Sequence, residues 1–505
     1  LLDDFLAGAP DGVGPTLAAL ACAESLTDDV ARAIYKTVPV PGLDAEQFLS
    51  AFKYSGLTEP RNSEWNLNHE LRDELVRSDF LPSDEKHSVH RYLAELGEKA
   101  DFRETAGRTV PTYLFSEAGL AYHLAGAGKT EAALEHYSRA SLGPFNGAQW
   151  LGAKLVEEQE ETGVIPKGQI ESTFLRAWVM LRQGRKKEAM PLFARIAETD
   201  EPKREVAISL HLLGNDRPPR RSEQAEAELR RSIEIGESTG DRLGVAQVLH
   251  SLANLLQKQD RRWDEAEKAY RESIEIGESV GNRFHVAQTL HSLANLLSKQ
   301  DGRWDEAEKA YRESIEIDGS LGNRFGVAQA LHSLANLLSK QDGRLDEAEK
   351  AYRESIEIDG SLGNRFGVAQ ALHSLANLLS KQDGRLDEAE KAYRESIEIG
   401  ESIDRPHHVA QTLHSLANLL SQREGRLDDA VSTYENSISI LEKLRDDNGV
   451  AQTLRSYALA IEGRSPQEAL DLLARSLEIN ERRGNRRFVD LVRRTIQQVR
   501  ERSGL

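Results

Sequence analysis

Two successive stretches of this chain, Gly302–Asp342 and Gly343–Asp383, differ only where Trp304 is replaced by Leu345. The motif Leu-His-Ser-Leu-Ala-Asn-Leu-Leu recurs with its histidine at His250, His291, His332, His373 and His414, a period of 41 residues. A fixed period of this size rules out one closed globular core. Each unit is too small to bury its own apolar faces and must bury them against the next, which is the logic of a solenoid.

One unit reads as two helices. The first is expected from about Val286 to Lys299. Asp301-Gly302 makes a turn, Asp305 is the expected N-cap of the second helix, and that helix runs to about Ile317. The loop Gly322-Asn323-Arg324 then stops it. With 3.6 residues per turn, Ala307, Ala310, Tyr311, Ser314 and Ile317 fall on one stripe. Alanine and serine admit a close neighbour, and the tyrosine fills the space beside them. Glu308, Lys309, Arg312, Glu313 and Glu316 form the opposite, solvated face, with Glu308–Arg312 and Lys309–Glu313 at i,i+4 spacing.

Asp305-Glu306-Ala307 followed by Tyr311 and Ser314, with Leu293-Ala294 upstream, resembles the tetratricopeptide signature. The unit is similar to the 40–42-residue variety of kinesin light chains and many bacterial signalling proteins. The resemblance is strong from about 243 to 484. Earlier, Gly128, Ala133, Tyr137 and Ala140 fit the pattern, as do Gly184, Ala189 and Phe193, and Ala225 to Ile235 reads as a second helix. The resemblance implies an all-α superhelical solenoid of about nine helix pairs: divergent units over 106–242, a regular array over 243–484, and an arginine-rich capping helix, Phe488 to Arg500, within 485–505.

Residues 1–105 lack the period. Leu17 to Cys22 and Asp28 to Ile34 read as short helices. Asp44 to Ser50 starts a third, ended by Ser55-Gly56-Leu57-Thr58. Glu64 to Leu67 reads as a strand, and His69 to Leu75 begins another helix. This order resembles the winged helix that joins the nucleotide-binding domain to a repeat arm in STAND-type signalling NTPases. A generic helical cap is the alternative.

Bulk properties narrow the partners. The 505-residue chain carries a formal charge of −18, which argues against a general phosphate-backbone binder. The run Glu157, Glu158, Glu160, Glu161 reads as a solvated helix face. Cys22 is the single cysteine, so a thiolate zinc cluster and an internal disulfide are excluded. No apolar stretch reaches the ~18 residues of a membrane span. The opening Leu1-Leu2-Asp3-Asp4-Phe5-Leu6 lacks the features of a signal peptide, so the sequence is expected to open in mid-protein and to reside in the cytoplasm.

Two decoys fall to spacing. Gly126-Ala127-Gly128-Lys129-Thr130 looks like the end of a phosphate-binding loop, but its first glycine would fall at His123. An apolar strand should also precede it, and here a repeat helix does. The five histidines are separated by about a helix-pair width, on the order of 10 Å, too far to share a metal ion. His407-His408 have no partner ligand at useful spacing. No nucleophile–base–orienter set is visible, so neither catalysis nor a cofactor is expected.

The first helix carries the informative pattern. With Ala287 at 0°, the residues Ala287, Leu290, Leu293, Ala294, Leu296 and Leu297 sweep most of the circumference. Gln288, His291, Asn295 and Lys299 fall between about 40° and 120°. A helix apolar nearly all round is buried, so this narrow polar strip is expected to face the concave groove. The strip recurs as Gln247, His250, Asn254; Gln288, His291, Asn295, Lys299; Gln329, His332, Asn336, Lys340; Gln370, His373, Asn377, Lys381; and Gln411, His414, Asn418. Amides and imidazoles both donate and accept, which suits the backbone of an extended ligand. The family resemblance implies that the asparagines after Ala253, Ala294, Ala335, Ala376 and Ala417 hold ligand backbone. In the unit beginning at Val450, Arg455 and Leu459 replace the histidine and asparagine. A hydrogen-bonded ladder between duplicated units is the other reading of the strip. If the strip contacts ligand, replacing Asn295, Asn336 and Asn377 with Ala should weaken binding and leave melting nearly unchanged.

The expected function is protein or peptide binding in the groove, for ligand sensing or scaffolding. The rivals are a sensor arm of a STAND-type NTPase, in bacterial defence or transcription control, and a self-associating scaffold.

Overall fold

The computed structural model describes residues 6, 9–53, 58–61, 64–67, 69–78, 80–99, 113, 116–142, 147–259 and 262–504. The chain forms two compact units, Leu1–Val248 and Leu249–Leu505.

The first unit opens with helices α1 (Val13–Ala21), α2 (Asp28–Thr37) and α3 (Ala45–Lys53). Strands β1 (Thr58–Arg61) and β2 (Glu64–Leu67) pair antiparallel, with Thr58 opposite Leu67 and Arg61 opposite Glu64. Helices α4 (His69–Arg77) and α5 (Ser83–Lys99) follow. The order of the first four helices and of β2 matches the expected one. Residues 55–57, the expected end of the third helix, lie outside the described residues, as does the expected domain boundary at 105. Strand β1 and helix α5 are not announced by the sequence pattern. Trp65 is 1% exposed and, with Leu17, Leu20, Phe52, Leu71 and Leu93, belongs to one apolar core.

The repeats begin with α6 (Glu117–Gly126) and α7 (Thr130–Leu142). Gly128 turns between them at φ +79° and helix α6 leads directly into it, so the Gly-Lys-Thr segment is a repeat turn. A single helix, α8 (Gly147–Glu161), is inserted next. It corrects one expectation. Glu157 and Glu161 are exposed, but Glu158 and Glu160 are buried. The helix packs against repeat helices on its inner side, so half of the run needs counter-ions. Arg72 pairs with Glu158 at 2.7 Å and Arg176 with Glu160 at 2.6 Å. The unit continues through α9 (Ile170–Arg182), α10 (Lys186–Ala197), α11 (Arg204–Asp216) and α12 (Ser222–Thr239), and the boundary between the units falls inside α13 (Arg242–Leu256).

The second unit holds the regular array. Its helices alternate: α14 (Trp263–Ser279), α15 (Arg283–Leu297), α16 (Trp304–Ser320), α17 (Arg324–Leu338), α18 (Leu345–Ser361), α19 (Arg365–Leu379), α20 (Leu386–Ser402), α21 (Pro406–Ser421), α22 (Leu427–Lys443), α23 (Asp447–Ile461), α24 (Pro466–Arg482) and the closing α25 (Arg486–Ser503). Among the described residues, the helix pairs from α6 onward number nine, with α8 outside the pairing.

Helix limits depart from the expected ones for identifiable reasons. The first helix starts at Arg283 instead of Val286, because the Asn282 side chain accepts from the His285 N–H and caps it there. Asp305 is not the N-cap of the second helix. Arg303 holds that position without a side-chain cap bond, and Asp305 and Glu306 sit in the first turn, where acids favour the helix dipole. The stripe itself is as expected: Ala307, Ala310, Tyr311 and Ser314 are buried, with Ile317 half-buried. Buried serines of the second helices donate to an alanine carbonyl of the preceding first helix: Ser314 to Ala287 and Ser355 to Ala328 at 2.9 Å, Ser396 to Ala369 and Ser437 to Ala410 at 2.8 Å. The pair is thereby latched where the alanines allow close approach.

Ion pairs stitch successive second helices. Arg344 reaches back to Glu308 at 2.5 Å and forward along its own helix to Glu347 at 2.6 Å. Arg385 repeats this with Glu349 and Glu388. Glu308 also meets Arg312 at 2.7 Å, as the i,i+4 spacing predicts. No described helix is long and apolar enough to cross a membrane.

Candidate functional site

The first helices of the array bury the residues the periodicity selects. Ala287, Leu290, Leu293, Ala294, Leu296 and Leu297 are all buried, and the equivalent positions of α17 and α19 follow suit. The polar strip opposite them divides into three sets.

The asparagines are held from below. The hydroxyls of Tyr270, Tyr311 and Tyr352 donate to Oδ1 of Asn254, Asn295 and Asn336 at 2.7 Å, and those of Tyr393 and Tyr434 to Asn377 and Asn418 at 2.6 Å. Burial pushes the phenols of Tyr311, Tyr352, Tyr393 and Tyr434 up to about 12, which keeps them protonated as donors. Because the oxygen is occupied, each amide has a fixed orientation in which Nδ2 is the group left to donate elsewhere.

The histidines link neighbouring repeats, by a rule readable in the sequence. Where the next unit has threonine two residues before its own strip histidine position, Nδ1 meets that hydroxyl: His250 with Thr289 and His373 with Thr412 at 2.9 Å, His414 with Thr453 at 3.0 Å. Where it has Ala330 or Ala371, the ring uses Nε2 and the following serine: His291 with Ser333 and His332 with Ser374, both at 3.0 Å. The hydroxyls of Thr289 and Thr412 donate to the carbonyls of His285 and His408 at 2.9 Å. The threonine oxygen is thus an acceptor, and His250 and His373 must carry their proton on Nδ1. Burial lowers the basicity of His291, His332 and His414, and lowers His373 to about 4. These rings are neutral at pH 7.

Gln288, Gln329, Gln370 and Gln411 are exposed, together with Lys299, Lys340 and Lys381. They make the solvent-reaching margin of the strip in the second unit. Gln247, in the first unit, is also exposed. Asn336 is exposed and the other four asparagines are half-buried, as are all five histidines. The tyrosine, threonine and serine partners were legible as core or linker residues, but their bonds to the strip required the register between helices.

In the first unit, a buried polar cluster has no counterpart in the repeat pattern. His90 Nδ1 lies 2.9 Å from His123 Nδ1, and His123 Nε2 lies 2.7 Å from the Tyr113 hydroxyl. Arg72, 2% exposed, contacts Glu158 and the Tyr122 hydroxyl, and Tyr122 donates to Glu158. Burial holds His90 down at about 3. These groups join α4 and α5 to α6 and α8. Among the described residues, no three His, Cys, Asp or Glu side chains are grouped to hold a metal ion.

Residues 220–279, 246–320, 326–402 and 408–482 match the family described as Tetratricopeptide repeat, and together they cover half of the chain. A comparison with curated protein sequences yields no match. Among solved structures, the chain is similar to a signal-transduction ATPase with numerous domains (STAND) that carries a tetratricopeptide repeat sensor, from Pyrococcus horikoshii. The TM-score is 0.53 at 15% identity, over 88% of this chain and 66% of that one, so the chain spans just under two thirds of its length. A Rap protein complexed with Competence and Sporulation Factor aligns with a TM-score of 0.41 at 14% identity, over 83% of this chain and 99% of that one. A Podosopora anserina kinesin light chain with nearly identical TPR-like repeats aligns with a TM-score of 0.34 at 20% identity, over 39% and 96%. At these identities the likeness concerns the fold. The repeat profile over half of the sequence, borne by tandem helix pairs, establishes that the chain belongs to the tetratricopeptide repeat family.

Proposed function

We propose that the second unit binds an extended segment of a partner protein along the polar strip of its first helices, as a sensing or scaffolding module. The observation that carries this reading is the tyrosine-fixed asparagine row. Asn295, Asn336, Asn377 and Asn418 each keep Oδ1 on a tyrosine, so their Nδ2 donors recur in one orientation beside exposed Gln288, Gln329, Gln370 and Gln411. Successive repeats lie on the order of 10 Å apart, and a polyproline-II-like chain rises about 3.1 Å per residue with about three residues per turn. One carbonyl in three would therefore meet an asparagine. The histidines set the spacing between units, and the lysines attract acidic segments. Because the row is prebuilt, the ordering cost of binding falls mainly on the ligand.

The test is capture of partners by the intact chain and by a variant with Gln288, Gln329, Gln370 and Gln411 changed to Ala. The variant should melt as the parent does and lose the parent's specific partner. Retention of the same partner at the same affinity would refute the strip as the contact surface.

A second reading is that the chain is the sensor arm of a STAND-type NTPase. It is supported by the likeness over 88% of this chain to the Pyrococcus protein, and by three helices, a hairpin and two helices ahead of the repeats among the described residues. It requires the coding sequence upstream of Leu1 to specify a P-loop domain, and an upstream region without one would end it.

A further inference from the structure

A different surface of the second unit carries a ligand argument of its own. At three successive corners where a second helix passes into the next first helix, an aliphatic residue in solvent and a phenylalanine flank an arginine. The first corner has Val280, Arg283 and Phe284, with Phe284 55% exposed. The second has Leu321, Arg324 and Phe325, with Phe325 48% exposed. The third has exposed Leu362 and Arg365, with Phe366 half-buried. Large apolar side chains this exposed, recurring in register, mark a contact surface more often than an accident of folding.

The third corner shows what such a ring accepts. Arg405 lies 5.0 Å over the face of Phe366, and His408 meets its edge. There the following unit reads Arg405-Pro406-His407-His408 and closes the rung from within. Phe284 and Phe325 have no such cover among the described residues.

The arginines are placed against local stability. Arg283, Arg324 and Arg365 are the first residues of α15, α17 and α19, where a cation opposes the helix dipole. In the same molecule the second helices carry the stabilising pattern, with Asp305-Glu306, Asp346-Glu347 and Asp387-Glu388 in their first turns. All three arginines are exposed, and none forms an ion pair among the described residues. The segments Gly319–Phe325 and Gly360–Phe366 contain no carboxylate. Asp318 and Asp359, which precede them, are buried and accept from Asn323 and Asn364. In a chain of net charge −18, the second and third corners are cationic and apolar, while the first also carries the exposed Glu278.

We propose that the corners Val280–Phe284 and Leu321–Phe325, continued by Leu362 and Arg365, form a docking ladder for an extended acidic segment of a partner protein, with an apolar residue beside each acid. Carboxylates would take the guanidinium forks, and the apolar residues would cover the two open phenylalanines. A nucleic acid is the poorer match, because three arginines face a phosphate polymer that the rest of this acidic chain repels.

The experiment uses the full chain and a fluorescein-labelled peptide of Ser-Glu-Leu triplets, with Ser-Lys-Leu triplets as the control. The acidic peptide should bind, more weakly as salt rises. Phe284→Ser with Phe325→Ser should weaken it at least about tenfold, and Arg283→Glu with Arg324→Glu by as much. Both pairs lie in solvent, so circular dichroism and melting should match the parent. The four-glutamine variant of the strip should bind the peptide unchanged, which separates this surface from the strip. The proposal is overturned if the acidic peptide fails to bind, if the lysine peptide binds as tightly, or if the corner variants bind like the parent. It is also overturned if a single-stranded oligonucleotide displaces the peptide, or if light scattering shows a dimer that both corner variants dissolve, which would assign the surface to a second copy.

Discussion

Replacing Asn295, Asn336 and Asn377 together with Ala tests whether the strip is only a contact surface or also part of the scaffold. From the sequence, melting should hardly change. The geometry leads to a different expectation, because each asparagine accepts a tyrosine hydroxyl at 2.7, 2.7 and 2.6 Å. The tyrosine rings are 1–2% exposed, so a hydroxyl deprived of its acceptor has little water to turn to. Losing such a bond costs about 1 kcal/mol net, and about 1–3 kcal/mol when the stranded donor stays buried. The three sites lie in separate repeats and should add, giving about 3–9 kcal/mol. For a unit of this size each kcal/mol moves the midpoint by roughly 2–4 °C, so a loss on the order of 10 °C is expected. Thermal and urea denaturation measure it, with hydrogen exchange in α16, α18 and α20 to place the loss. The matching variant, Tyr311, Tyr352 and Tyr393 changed to Phe, should lose less, because a half-exposed amide can turn to solvent. A triple asparagine variant melting within about 2 °C of the parent would refute the tyrosine–asparagine bond as a structural element.

Two further outcomes follow from the histidines. Their folded-state basicity lies below the ordinary value of 6.5, so the unfolded chain takes up protons first. Stability from this source is therefore complete above about pH 6.5 and falls as pH drops toward about 4, the value for His373. Denaturation midpoints measured across that window should fall, and His373→Gln should flatten the fall; a midpoint independent of pH would contradict the neutral ladder. Thr412→Ala recreates at His373 the environment of His332, so His373 should shift from Nδ1 on Thr412 to Nε2 on Ser415, with under about 1.5 kcal/mol of destabilisation. Imidazole nitrogen NMR distinguishes the two, and an Nε2 resonance unchanged from the parent would disprove the rule.

The period, the paired helices and the apolar stripe were legible in the sequence because they depend on residues three or four positions apart. What was not legible depends on residues a whole unit or more away. Arg303 reads locally as a loop residue. Its place as N-cap becomes intelligible when its guanidinium is seen to span Glu267, 36 residues back, and Glu306. Glu158 reads as surface until Arg72, 86 residues earlier, is brought against it. Likewise, the strip histidines looked equivalent because their own motif is identical. The distinction lies in whether the next unit offers threonine or alanine.

The self-matching bonds also bear on how such an array changes length. Arg344 grips Glu308 just as Arg385 grips Glu349, and Ser355 latches Ala328 as Ser396 latches Ala369. Excising Gly343–Asp383 would bring Arg385 onto Glu308 and Ser396 onto Ala328, with like partners on each side of the scar. Copies of the unit are therefore interchangeable parts, and gene-level duplication or loss in multiples of 41 codons would alter the reach of the array without requiring a single compensating substitution.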